Sequence, residues 1–274
     1  MNKRLTALAI SAATLLFPQE GTGNNDRGDW YLIEEACIGN RPGFDGTFGE
    51  LDLYGFSKVY RDNFVFFANG MGYLQEQDDN GGSVGIGTRC FFRDMLLGAN
   101  VYYDFQHAGF GDVNQLGVGL ELFTSGFEIR ANFYLPDQRQ LIGNSILYDD
   151  YIGDFAINSQ IATYVAQKID FEIGKRFCLW ERANVFVGIG GYSLNFKGSS
   201  DAFGGSARIR LSYLNNIYIE GDAYYDRKFN MNAEIKIGIM QSLCELCRPI
   251  NCSHQPVIRN YRCSTRCFVY ETNY

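Results

Sequence analysis

Five stretches of this chain hold a strict two-residue period. In "LLGANVYYDFQ" (96–106), Leu97, Ala99, Val101, Tyr103 and Phe105 alternate with Gly98, Asn100, Tyr102, Asp104 and Gln106. Leu116, Val118, Leu120 and Leu122 alternate with Gln115, Gly117, Gly119 and Glu121; Phe127, Ile129, Ala131, Phe133 and Leu135 alternate with Glu128, Arg130, Asn132 and Tyr134. The pattern returns from Ile217 to Tyr225 and from Phe229 to Ile239. Successive strand side chains point to opposite faces, so each run has two faces in two solvents, and helical spacing would scatter these sets. Further candidates are Leu51–Tyr60, Asn63–Leu74, Ser83–Phe92, Ile169–Phe177, Ala183–Phe196 and Phe203–Leu214, with Asn63–Leu74 the least regular. Soluble strands usually run about five or six residues. A tilted membrane-crossing strand needs about 9–11, which matches these runs.

The connections sort by length. "RDN" (61–63), "RD" (93–94), "TSG" (124–126), "LWER" (179–182) and "NN" (215–216) are tight. Between them lie "QEQDDNGG", "HAGFGDVN", the segment Asp137 to Lys168, "KGSSDA" and the shorter "DRK". Short turns on one side and longer loops on the other are the arrangement of an outer-membrane barrel. Such barrels have even strand numbers, so "WYLIEEACIG" (30–39) is read as the twelfth strand, placed first. The expected fold is all-β, a single closed antiparallel transmembrane β-barrel of about 12 strands. "SILYDDYIGDFAINSQIATYVA" inside the long loop could add short strands above the membrane.

The polar rows carry Asp104, Glu121, Glu128, Arg130, Arg208, Arg210, Glu220, Asp222, Glu234 and Lys236, read as lumen-facing charges. The apolar rows of the five best runs hold no Asp or Glu, as a lipid face requires. Phe91/Phe92, Tyr103/Phe105, Phe133/Tyr134 and Tyr224/Tyr225 near strand ends are read as interfacial girdles. Gly98, Gly117, Gly119, Gly188 and Gly190 at inward positions leave room for another backbone.

Composition agrees with many twisted strands: 31 Gly, 18 Tyr and 22 Phe against 5 Pro. The net charge of −7 argues against a nucleic-acid partner. Lys3 and Arg4 precede the uncharged run Leu5 to Phe17, a secretory signal pattern assigned to residues 1–20, with cleavage between Ala13 and Gly23. The barrel is assigned to 24–240 and a cysteine-rich tail to 241–274.

"LLGANVYYDFQ" followed by "QLGVGLELF" resembles the strand pair of the intimin and invasin family, the inverse autotransporters. Gly98, Asn100, Tyr102, Tyr103, Asp104 and Phe105 match its first run; Leu116, Gly117, Gly119 and Glu121 match its second. "FEIRANFYLP", "VGIGGYSLNF", "GGSARIRLSY" and "IEGDAYYD" are similar to further strands of that family. The resemblance covers roughly residues 30 to 240. It implies a twelve-stranded bacterial outer-membrane barrel, inserted by the barrel-assembly machinery, with the chain after the last strand passing back through the lumen to present a passenger outside. The 34 residues after Met240 leave room for a miniature passenger rather than immunoglobulin-like domains.

Tail residues Cys244, Cys247, Cys252, Cys263 and Cys267 are the candidate disulfide cysteines, their odd number leaving one to pair elsewhere. Cys244-x2-Cys247 with Cys263-x3-Cys267 approximates zinc-ribbon spacing, yet an exported segment meets oxidants first, and no metal is expected. Cys90 shares the apolar row and is read as a lipid-facing thiol. His107 has no nucleophile motif beside it, and neither an enzyme nor a cofactor is expected. Three functions stay open. The barrel anchors and exports its own tail, for adhesion to a host-surface ligand or cross-linking to cysteine-rich envelope proteins. It is a porin-like channel stapled by tail disulfides. Or the chain is a soluble secreted β protein.

Overall fold

The computed structural model describes residues 29–42, 44–57, 64–75, 80–93, 95–108, 111–138, 140–152, 155–180, 182–197, 200–214, 216–242 and 265–273. Its strands are β1 (Asp29–Arg41), β2 (Phe44–Asp45), β3 (Phe48–Phe56), β4 (Phe64–Gln75), β5 (Asn80–Phe92), β6 (Met95–Ala108), β7 (Gly111–Phe123) and β8 (Glu128–Pro136). Then come β9 (Gln140–Ile152), β10 (Phe155–Val165), β11 (Gln167–Trp180), β12 (Ala183–Asn195), β13 (Ala202–Tyr213), β14 (Ile217–Asp226), β15 (Asn230–Ser242) and β16 (Thr265–Asn273). Twelve of them form one antiparallel sheet in the order β15-β14-β13-β12-β11-β8-β7-β6-β5-β4-β3-β1, and β15 pairs with β1 to close it. The closing register runs from Tyr31 opposite Ser242 to Gly39 opposite Glu234. Closure removes the unpaired edges that a lipid environment would not tolerate.

The alternation decides which face is which. Val101, Val118, Leu120, Ile189, Ile219 and Ile237 on the outside are well exposed, while Asn100, Asp104, Glu121, Glu220 and Glu234 on the inside are buried. A sheet with an apolar exterior and a charged interior is inverted relative to a soluble protein, and only lipid outside makes it favourable. β1 alternates less clearly because Glu34 falls on its outward row, opposite Leu51 and Ile239.

Two ends of the barrel follow from strand direction. β1 starts and β15 stops at the turn end, where β5–β6, β7–β8, β11–β12 and β13–β14 are joined tightly. Arg93 and Leu214 take φ of 53° and 54° there, a left-handed step that short hairpins use. The long connection between β8 and β11 lies at the opposite, loop end. It contains a full hairpin, β9 paired with β10, longer than the short strands expected. β16 adds to this hairpin, Thr265 opposite Val165 and Asn273 opposite Ile157. β16 therefore belongs to a separate three-stranded sheet, β16-β10-β9, and not to the barrel. The hairpin's root is seated on the barrel mouth: Tyr164 and Ala166 pack with Tyr192, Leu194, Phe196 and Tyr224 from inward rows.

Candidate functional site: the barrel interior

Each inward position sits between two neighbouring strands, so a long charged side chain can reach partners on both. Arg210 donates from Nε to Glu220 Oε2 at 2.5 Å, and Lys236 Nζ donates to Glu220 Oε1 at 2.6 Å. Arg208 Nε bonds Asp222 at 2.8 Å and lies 3.3 Å from Glu172. Lys236 also lies 3.4 Å from Glu234, whose other oxygen accepts from Arg41 Nε at 2.5 Å. On the far side Arg130 bonds Glu128 at 2.5 Å and Glu172 at 3.1 Å, and Arg176 bonds Glu128 at 3.2 Å. Alternating charges thus run without a break from Arg176 through Glu128, Arg130, Glu172 and Arg208 to the Glu220 group and on to Arg41. Arg89 and Glu121 form a separate pair, with Nε at 3.0 Å and Nη2 at 2.8 Å from one carboxylate oxygen. Asp104 accepts from Ser83 at 2.5 Å and from Gln115 at 3.1 Å.

The ten charges read from the sequence all fall on inward rows. The sequence reading missed Arg41, Arg89, Glu172 and Arg176, which carry the same two-residue signal on strands whose alternation is less clean. Glu172 reaches Arg208 across β12 because that strand presents Gly188 there. A Cβ on Gly188 would lie 3.2 Å from the Glu172 carboxyl carbon. The space at Gly98 and Gly188 is thus used by charged and aromatic side chains of the wall itself rather than left wholly for a second backbone.

Aromatic rings use other glycines as seats. Tyr218 on β14 lies across Gly238 on β15 and donates its hydroxyl to Glu35 on β1 at 2.5 Å, which ties three strands at the closing seam. A Cβ at Gly238 would be 2.2 Å from the ring. Gly238→Val is expected to destabilise the barrel by about 1–3 kcal/mol through overpacking. Urea unfolding in lipid vesicles measures this, and adding Tyr218→Ala should recover part of the loss. A cost from Gly238→Val unchanged by Tyr218→Ala would contradict the seat.

The girdle reading needs a correction at three pairs. Consecutive residues occupy opposite faces, so only one ring of each can face lipid. Tyr225 and Phe133 are exposed, while Tyr224 and Tyr134 are buried inside; in the third pair Phe92 is on the outward row and Phe91 on the inward. Tyr103 and Phe105, two apart, both face outward. His107 and Asp112 form an exposed pair at the loop end. Cys37 is buried with Sγ 3.4 Å from Glu234, Cys90 lies on the outward row of β5, and Cys178 is exposed at the turn end. Cys244, Cys247, Cys252 and Cys263 lie outside the described residues, and Cys267 stands in β16 opposite Thr163. Among the described residues no group of His, Cys, Asp or Glu could hold a metal ion.

Residues 36–141 match the family model of the inverse autotransporter β-domain. Over that stretch the chain is similar to the inverse autotransporter β-domain. The match begins in β1 and ends in β9, so it includes the 96–135 block that carries the resemblance. Among solved structures, one from work on the in-meso crystallization of membrane proteins covers 87% of this chain and 100% of its own, at 15% identity and a TM-score of 0.59. The KdgM porin covers 77% of this chain and 97% of its own, at 8% identity and a TM-score of 0.47. The β domain of the Bordetella autotransporter BrkA covers 78% and 98%, at 12% identity and a TM-score of 0.40. No curated protein matches the sequence. With its lipid-type exterior and closed twelve-stranded sheet, the chain is a bacterial outer-membrane barrel.

Proposed function

We propose that the barrel anchors and exports its own C-terminal tail, displaying it at the cell surface as a miniature passenger in the manner of intimin and invasin. The carrying observation is the pairing of β16 with β10. β15 stops at the turn end with Ser242, whereas Thr265 pairs at the loop end. In an outer-membrane barrel the tight turns and both termini of the sheet face the periplasm, so the loop end is outside. The 22 residues between Ser242 and Thr265 reach at most roughly 70 Å at about 3.3 Å each, ample for a bilayer core of about 30 Å. They include Glu245, Arg248, Arg259 and Arg262, which a lipid route would strand in hydrocarbon, so the lumen is the route. A wide aqueous channel would leave its wall wet, and the burial of Arg89, Glu220 and Asp226 speaks against the porin-like reading. The displayed tail cysteines then suit cross-linking to cysteine-rich envelope proteins or contact with a host-surface ligand.

Cys267 and Cys178 test this together. In single-cysteine variants, an impermeant maleimide applied to intact cells after mild reduction should label Cys267, and should label Cys178 only after the outer membrane is permeabilised. Labelling of Cys267 only after permeabilisation sinks the proposal.

A further inference from the structure

We infer that the outer face of β12–β15 at the loop end binds a phosphorylated glycolipid of the outer leaflet, its phosphates on Lys197 and Arg227 and its acyl chains along Phe203, Tyr225 and Met231. The inference rests on the loop end facing outward, as the export reading does, and on nothing about the route of the tail. Phe203, Tyr225 and Met231 are 71%, 65% and 73% exposed, whereas Tyr103, Phe105, Leu116 and Phe133 on other outward rows are 37–49% exposed. The three adjoin. Tyr225 stands opposite Gly205 on one side and Met231 on the other, and Phe203 lies two residues along β13 from Gly205. A Cβ on Gly205 would meet nothing nearer than a carbonyl oxygen at 3.8 Å, and the row below is Ala207, Ala223 and Ala233. Three large apolar side chains therefore rim a shallow hollow that hydrocarbon can fill.

Two cations stand above this patch. The β13–β14 ladder ends with Gly204 opposite Asp226, so the next residue, Arg227, comes beside Phe203 and continues the outward row of Tyr225. Lys197 continues the outward row of Ser193, which itself stands opposite Phe203. Both cations are exposed, and neither has an ion pair among the described residues. The nearest carboxylates are engaged elsewhere. Asp226 is buried on the inward side, where it accepts from Tyr192 at 2.5 Å and from the N–H groups of Lys228 and Phe229 at 2.7 Å each. Asp201 accepts from Asn195 at 2.8 Å. Lys228 lies with Nζ 4.0 Å from the Phe196 ring centroid and donates to the Ser200 carbonyl, which ties the β14–β15 turn to the β12–β13 connection and holds the two cations on one sector of the rim. On the β6–β8 sector the same rim exposes His107, Asp112 and Asp137 instead. The field at the mouth thus draws an anionic headgroup to one side. Arg and Lys at headgroup depth bind phosphate oxygens, and apolar side chains just below take the chains of the same molecule.

Full-length protein in detergent, freed of native lipid, is titrated with diphosphorylated hexa-acyl lipid A and read by native mass spectrometry. One bound molecule is expected, with affinity about ten-fold weaker in the double variant Lys197→Gln/Arg227→Gln at equal amounts of heat-modifiable, folded barrel. Lys175→Gln removes an exposed cation from the outward row of β11 at the turn end and should leave the affinity unchanged. Lipid A stripped of both phosphates, and phosphatidylglycerol, should each bind about ten-fold more weakly than the intact glycolipid. Undiminished binding by the double variant or of the stripped lipid overturns the site, and an equal loss in Lys175→Gln overturns its place on the barrel. Equal binding of phosphatidylglycerol overturns the glycolipid as occupant. Lipid binding is read in detergent and Cys267 labelling on cells, so the failure of either is seen apart from the other.

Discussion

Glu220→Leu is expected to lower the unfolding free energy of the barrel by about 3–5 kcal/mol, because removing one partner of a buried ion pair strands the other. Here three cations lose a partner at once. Glu220 is fully buried and takes Arg210 at 2.5 Å, Lys236 at 2.6 Å and Arg208 at 3.9 Å. Asp222 and Glu234 keep Lys236 company, so the cost concentrates on Arg210, whose guanidinium otherwise stacks 4.4 Å from the Tyr218 ring centroid. Arg210→Leu alone leaves Glu220 with Lys236 and should cost less. The double variant should be more stable than the two single losses added together, since residues sharing one network are not additive. Urea titration of the four chains in lipid vesicles reads the coupling. Strict additivity would show that the pair contributes nothing in the folded barrel.

The charges were legible because strand period fixes face, and face fixes solvent. Asp104, Glu121 and Glu220 could be assigned to the inside from their neighbours alone. The rule weakens where the inward row is aromatic instead of charged. β4 sets Phe67, Met71 and Tyr73 inside against Ala68, Gly70 and Gly72 outside, so small and large replace polar and apolar and the alternation blurs. Inside the barrel Phe67 joins Tyr31, Tyr54, Phe56 and Tyr102 in one cluster, a packing choice that no single strand reveals. β1 blurs for another reason: Glu34 is buried although the register puts it on the outward row, opposite Leu51 and Ile239. Long-range partners were least visible. Nothing local says that residues 265–273 pair with a hairpin more than a hundred positions earlier, nor that Tyr218 crosses Gly238 to reach Glu35. Such contacts depend on which strands become neighbours, which the closed topology sets.

Val118→Arg tests the outer solvent itself. Val118 lies mid-strand on the outward row of β7, opposite Val101 on one side and Phe133 on the other, and is 42% exposed. If water bathed this face, an arginine there would change stability by less than about 0.5 kcal/mol, as exposed surface substitutions do. At the bilayer midplane the same residue costs about 2–4 kcal/mol, falling to about 0–1 near the interface. Phe127→Arg at the turn end, where Phe127 is 42% exposed, is the matched control for depth. Unfolding in vesicles should therefore separate two equally exposed positions by roughly 1–4 kcal/mol in favour of the control. Contacts within the chain give no reason for that ordering, since both side chains are open to the surroundings. Equal costs at the two positions would remove lipid as the partner of the apolar face, and with it the membrane orientation on which tail export depends.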